Sequence, residues 1–101
     1  MSYSVRFVDE IEDDILATYY WYEKESLGVG QHFLEVFYTQ VDMISNMPKL
    51  YHKIFQSFRR SLLKHFPYAI YYTIEQDTIV IYGVFHTRKN PQNIKESLDE
   101  R

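Results

Sequence analysis

The apolar residues of this chain change their spacing at Pro48. Before it, apolar residues such as Phe33 and Phe37 recur every three or four positions, whereas after it residues such as Ile70 and Tyr72 recur every second position. The first spacing is typical of amphipathic helices and the second of strands. Proline interrupts a helix because it lacks a backbone N–H. The chain is therefore predicted to be helical in its first half and a β-sheet in its second.

The same patterns predict an α+β domain over residues 1–91. Asp9 and Glu12 have the spacing of a capping box at the start of the first helix. The last two strands are apolar on both faces, so we expect them to be central in a mainly antiparallel sheet. A helical hairpin is expected on one face of the sheet. The predicted elements are a strand over Met1–Val8, a helix after Asp9, a turn at Gly28 and Gly30, a helix over Val29–Met47, and a three-stranded antiparallel meander over Ser57–Lys64, Tyr68–Glu75 and Thr78–His86.

Residues 92–101 form a polar C-terminal tail after Asn90 and Pro91. The asparagine–proline pair ends the regular pattern, and the tail is expected either to form a short helix or to stay mobile.

The chain has 101 residues and no cysteine, which excludes a disulfide framework and a thiolate zinc site. No signal-peptide pattern opens the sequence, and its apolar runs are shorter than the roughly 20 residues that span a bilayer. We expect a soluble cytoplasmic protein without membrane partners. No histidine pair has metal-ligand spacing and no glycine-rich phosphate loop exists, so neither a metal nor another cofactor is expected.

The net charge of −3 conceals a strong division along the chain. Residues 1–42 contain nine acids and two bases (−7), residues 43–89 two acids and seven bases (+5), and residues 90–101 three acids and two bases (−1). A basic surface of this kind can bind a polyanion or an acidic protein segment, or can simply be a solvated face.

A set of short motifs resembles the RelE/ParE superfamily of toxins from bacterial type II toxin–antitoxin modules, on the branch often labelled plasmid stabilisation proteins. The resemblance covers about residues 3–91. The motifs are, in chain order, Gly28-Val29-Gly30, Phe58-Arg59-Arg60, Phe66-Pro67-Tyr68-Ala69-Ile70-Tyr71-Tyr72, Ile79-Val80-Ile81 and Val84-Phe85-His86-Thr87-Arg88-Lys89-Asn90-Pro91.

This resemblance implies a toxin that a cognate antitoxin holds inactive, as a homodimer or a toxin–antitoxin hetero-oligomer. Family members act by two mechanisms, and the fold does not choose between them. ParE-like members inhibit DNA gyrase and catalyse no reaction themselves. We favour this gyrase inhibition as the activity of the chain. RelE-like members are endoribonucleases that cleave mRNA on the ribosome. A third alternative is an inactive member that only binds antitoxin.

The resemblance also names catalytic residues for the RelE-like alternative. Arg60 and Arg88 match basic positions of the ribonucleases, with His86 and Lys64 as additional candidates. The sequence departs from that branch because Leu62 and Ala69 replace expected bases and the tail has no tyrosine. His86 has a simpler alternative as a strand-end histidine that hydrogen-bonds the backbone.

Strand geometry and charge give two further expectations. Arg59 and Arg60 should point to opposite faces of their strand, so only one can lie on the sheet face away from the helices. We favour Arg60. An acidic, amphipathic antitoxin segment is expected along the helical hairpin and the sheet, where it can add an edge strand.

Overall fold

A computed structural model describes residues 3–101, and the part of the first predicted strand at Met1 and Ser2 lies outside them. The helical hairpin and the three later strands lie where the sequence predicts them. The structure adds a 3₁₀ turn over Pro48–Leu50 and a short strand that the sequence did not predict. The elements are β1 (Ser4–Phe7), α1 (Glu10–Glu25), α2 (Val29–Asn46), β2 (Lys53–Phe55), β3 (Phe58–Leu62), β4 (Tyr68–Glu75), β5 (Thr78–His86) and α3 (Pro91–Glu100).

The five strands form one sheet in the order β1-β5-β4-β3-β2. β1 pairs parallel with β5, and the other neighbours are antiparallel. The prediction that β4 and β5 are central is confirmed, and both are buried over most of their length. Gln76 begins their two-residue turn in the left-handed region, with φ of 59°.

The two faces of the sheet carry separate cores. On one face, α1 and α2 bury Phe33 and Phe37 against Ile70 and Tyr72. The apolar stripe predicted for α2 is therefore confirmed. On the other face the core contains Phe58, Ala69, Tyr71, Phe85, Ile94 and Leu98.

α3 covers this second face, so helices pack on both faces of the sheet rather than on one. Of the two alternatives for residues 92–101, the structure has the short helix. The Asn90 side chain caps it by accepting a hydrogen bond from the Gln92 backbone N–H at 2.8 Å. Only Ile94 and Leu98 of α3 are buried. Two apolar residues in a polar segment are too weak a pattern for the sequence to separate a docked helix from a mobile tail.

The helix ends are stabilised differently from the prediction. Asp9 makes no side-chain capping bond, so the predicted capping box is wrong; instead the Val8 carbonyl accepts from the Ile11 N–H at 3.1 Å. The start of α2 is capped from α1, where Glu23 Oε1 accepts from the Gly30 N–H at 2.8 Å.

Candidate functional site

The four residues named for the RelE-like alternative do not all line one hollow. Arg60 and Lys64 line two different hollows, and Arg88 and His86 line neither. Arg60 aligns with Tyr71 on β4, which in turn aligns with position 83 of β5, while His86 aligns with Tyr68. Arg60 and His86 are therefore two strands and three residues apart, about 14 Å between backbones.

His86 is engaged in local contacts at the end of β5. Its Nδ1 accepts a hydrogen bond from the Arg88 backbone N–H at 3.0 Å. Its ring packs edge-on against Tyr68, with 5.2 Å between centroids. Tyr68 belongs to the core beneath the helical hairpin, so His86 lies toward the opposite face from Arg60. This matches the alternative of a strand-end histidine bonded to the backbone.

Arg59 and Arg60 lie on opposite faces of β3, as the strand geometry predicts. Arg59 pairs with Tyr72 and lies toward the helical hairpin. Its Nη1 donates to the Tyr51 carbonyl at 2.6 Å and the Lys49 carbonyl at 3.5 Å. Arg59 thus holds the segment after α2 against the sheet, which is a structural role.

A polar network that the sequence analysis missed lies under the same segment. Gln40 Nε2 donates to Ser61 Oγ at 2.6 Å and to the Tyr51 hydroxyl at 3.1 Å. The Tyr72 hydroxyl donates to the Pro48 carbonyl at 2.6 Å. Burial raises the pKa of Tyr72, and the nearby Arg59 guanidinium opposes that rise only in part. This network holds the 3₁₀ turn that precedes β2, and β2 is the strand at one edge of the sheet.

At that edge lies the basic groove, two hollows that meet at Ile54 and Arg60. The first, of about 310 Å³, lies between the sheet and α3, and the second, of about 350 Å³, follows the outer side of β3. No aspartate or glutamate lines either hollow. The residues lining the basic groove are Leu50, Tyr51, His52, Ile54, Phe55, Arg60, Leu62, Tyr71, Thr87, Lys89, Pro91, Ile94 and Lys95.

Three basic side chains give the basic groove its charge: Arg60, Lys89 and Lys95. Lys89 Nζ lies 5.1 Å from the centroid of Phe85, and Lys95 Nζ lies 5.5 Å from that of Phe55. Such contacts favour one position of each ammonium over others. The ion pair found in residues 3–101 joins Arg101 to Asp14, so none of the three groove cations is neutralised by a carboxylate there.

A second groove, the acidic groove, lies between α1, α2 and the end of β1. It has a volume of about 640 Å³ and combines exposed apolar side chains with two carboxylates. The charge division of the sequence thus corresponds to two separate surfaces. The residues lining the acidic groove are Phe7, Val8, Asp9, Ile11, Glu12, Ile15, Leu16, Leu34 and Tyr38.

Two of the three basic-groove cations were not predicted as site residues. Lys89 was given only as part of the last family motif and of the basic stretch 43–89, and Lys95 belongs to the segment that was set apart as a tail. The excess of bases over residues 43–89 was the available signal for Lys89, whereas residues 90–101 hold more acids than bases and gave no such signal for Lys95. Within residues 3–101 no cluster of three metal-binding side chains occurs, and no helix there is long and apolar enough to cross a membrane.

One comparison with known proteins identifies the family of the chain, and a second identifies a solved structure with the same fold. The sequence model described as "ParE toxin of type II toxin-antitoxin system, parDE" matches residues 5–91. A solved structure titled "Chromosomal ParDE TA system from P. aeruginosa" superimposes with a TM-score of 0.75 at 13% identity, covering 84% of this chain and 96% of that one. That likeness shows the fold. No curated protein matches the sequence significantly.

Proposed function

Because the chain belongs to the ParE toxin family of type II toxin–antitoxin systems, we propose that it inhibits DNA gyrase and is neutralised by a cognate antitoxin. The proposal assigns no catalytic residue to the chain. Gyrase acts in the bacterial cytoplasm, so we place the toxin there as well.

The observation that carries gyrase inhibition over mRNA cleavage is the separation of Arg60 from His86 and from Lys64. A ribonuclease site must bring an acid or base and several cations to one phosphodiester within hydrogen-bond reach. Arg60 and His86 are about 14 Å apart by strand register and lie toward opposite faces of the sheet. The Nδ1 atom of His86 already accepts a hydrogen bond from a backbone N–H. A toxin that acts by binding needs no such convergence.

The direct test is a supercoiling assay with purified gyrase, relaxed plasmid and the purified chain. We expect supercoiling to be blocked and cells that express the chain to show a DNA damage response. Abrupt translation arrest with cleaved mRNA, together with normal supercoiling, would instead establish the RelE-like activity. Normal growth would identify an inactive member that only binds antitoxin.

Substitution of the two matched arginines separates the mechanisms further. We expect Arg60→Ala and Arg88→Ala to leave toxicity intact, since neither side chain has a catalytic role in gyrase inhibition. Loss of toxicity in both variants, with folding preserved by circular dichroism, would contradict the non-enzymatic proposal.

The antitoxin is the second partner that we propose. Copurification with the product of the neighbouring gene, at low and at moderate salt, tests it. Recovery of the chain alone under both conditions would argue strongly against a cognate antitoxin.

A further inference from the structure

We propose that the basic groove is the docking surface for an extended, acidic peptide segment that carries aliphatic side chains between its carboxylates. The proposal rests on the proposed function, in which the antitoxin supplies that segment. It goes further by assigning the surface on which the segment binds.

Charge is the first argument. Arg60 from β3, Lys89 from the loop after β5 and Lys95 from α3 line one hollow, and no acid lines it. Bringing three cations together without a counter-ion raises the local positive potential, and an incoming carboxylate lowers the free energy of all three. Charge complementarity of this kind selects an acidic partner and speeds its association.

The exposed apolar side chains of the groove are aliphatic, which is the second argument. Leu50 is 59% exposed, Ile54 42% and Leu62 55%. These side chains can bury leucine or isoleucine of a peptide, whereas nucleic acid bases stack best on aromatic rings. The rings of Phe55, Tyr71 and Tyr51 are partly or fully buried, which leaves His52 as the exposed ring of the groove. The groove therefore fits a peptide better than a single-stranded nucleic acid.

The edge of the sheet supplies the third argument. β2 is an edge strand of only three residues, and its pairing with β3 involves Arg59 and Phe58. The Arg60 N–H donates outward to the His52 carbonyl at 3.2 Å. Leu62, two residues further along β3, turns its backbone to the same side, where no β2 residue pairs with it. An unpaired strand edge favours a partner in extended conformation.

The test uses the full chain and a fluorescent ten-residue peptide in which glutamate and aspartate alternate with leucine and isoleucine. Fluorescence anisotropy at low salt measures its affinity. We expect Lys95→Glu to weaken binding at least about fivefold, because the reversed charge repels the peptide. Lys24→Glu is the matched control, since it makes the same charge change on an exposed helical position outside the groove, and we expect less than about a twofold effect.

Two further measurements locate the peptide and test its chemistry. Amide chemical shifts should move at Ile54, Leu62 and Lys95 rather than along the acidic groove. A peptide with lysine in place of every acid, and a ten-nucleotide oligothymidine, should both bind more weakly than the acidic peptide. Equal affinities of Lys95→Glu and Lys24→Glu, shifts confined to the acidic groove, or tighter binding of the oligonucleotide would each overturn the proposal.

The neighbouring gene product distinguishes failure of this inference from failure of the proposed function. If it binds the chain and Lys95→Glu leaves that affinity unchanged, the assignment of the basic groove is wrong while the antitoxin partner stands. If it does not bind the unsubstituted chain at all, the antitoxin proposal itself fails.

Discussion

Replacing Tyr72 by phenylalanine tests the buried polar network that positions the sheet edge. The side chain is fully buried, and its hydroxyl donates to the Pro48 carbonyl at 2.6 Å. Tyr72→Phe removes this bond and leaves a buried acceptor without its donor, which costs about 2 kcal/mol of unfolding free energy. For a domain of this size the melting temperature should fall by about 10 °C. Tyr20→Phe removes the same atom from an exposed ring and should change stability by less than about 0.5 kcal/mol.

The pH dependence gives the same prediction a second, independent readout. Burial raises the pKa of Tyr72 in the folded state above the value of about 10 that an unfolded tyrosine has. The neutral hydroxyl therefore contributes its full stability below pH 10, and that contribution is lost as the pH rises toward the folded pKa. Between these two pKa values the unsubstituted chain loses about 1.4 kcal/mol per pH unit at this site, and Tyr72→Phe does not. The gap of about 2 kcal/mol at pH 7 should shrink to about 0.6 kcal/mol at pH 11.

Chemical denaturation of the three proteins at pH 7 and pH 11 measures both effects. Other tyrosines with raised pKa, Tyr22 and Tyr82, are present in every variant and cancel in the comparison. A gap below about 0.5 kcal/mol at pH 7 would show that the Tyr72 bond does not hold the turn. A gap of the same size at both pH values would refute the account of its titration.

Three further substitutions test the contacts between elements, each by chemical denaturation. Glu23→Ala should cost about 1 kcal/mol because it removes the cap at the start of α2, and Glu23→Gln, which keeps an acceptor oxygen, should cost less. Gly30→Ala should cost about 1–3 kcal/mol, since its Cβ would lie 2.6 Å from the Tyr19 carbonyl oxygen; equal stability would show that the two helices can separate freely. Asp14→Asn should cost about 1 kcal/mol because it breaks the 2.6 Å ion pair between Asp14 and Arg101. The Asp14 side chain is 22% exposed and that of Arg101 13%, and the loss of stability should shrink in 1 M salt.

Long, strongly periodic segments made most of the fold predictable. α2 repeats its apolar residues over five turns, and β4 and β5 are apolar on both faces over eight and nine residues. β2 has three residues, too few to establish a period of two. The Asp9 cap failed because the sequence shows only which side chains can cap, while here the carbonyl of Val8 makes the bond.

The basic groove was only partly predictable for a different reason. The sequence shows an excess of bases between residues 43 and 89, but not which of them meet. Arg60 and Lys89 line the same hollow, although Lys89 lies three residues beyond the end of β5, where no strand register fixes it. Lys95 joins them because α3 packs on the sheet, a long-range contact that local patterns do not contain. The resemblance to the ribonucleases selected Arg60, which lines the basic groove, together with Arg88, His86 and Lys64, which do not line it.

The basic groove depends on the docking of α3, and replacing Leu98 tests that dependence. This residue is buried against the second core, and Leu98→Ala removes one of only two apolar anchors of α3, at a cost of about 2–4 kcal/mol. Because Lys95 reaches the groove only while α3 is docked, the variant should also bind the acidic peptide more weakly, although Leu98 itself lies outside the groove. Hydrogen exchange should show faster exchange in α3 than in β4. Ile44→Val, which also trims a buried side chain but in the other core, should lower stability without changing peptide affinity. Full peptide affinity in folded Leu98→Ala, despite fast exchange in α3, would show that Lys95 and α3 do not form part of the binding surface.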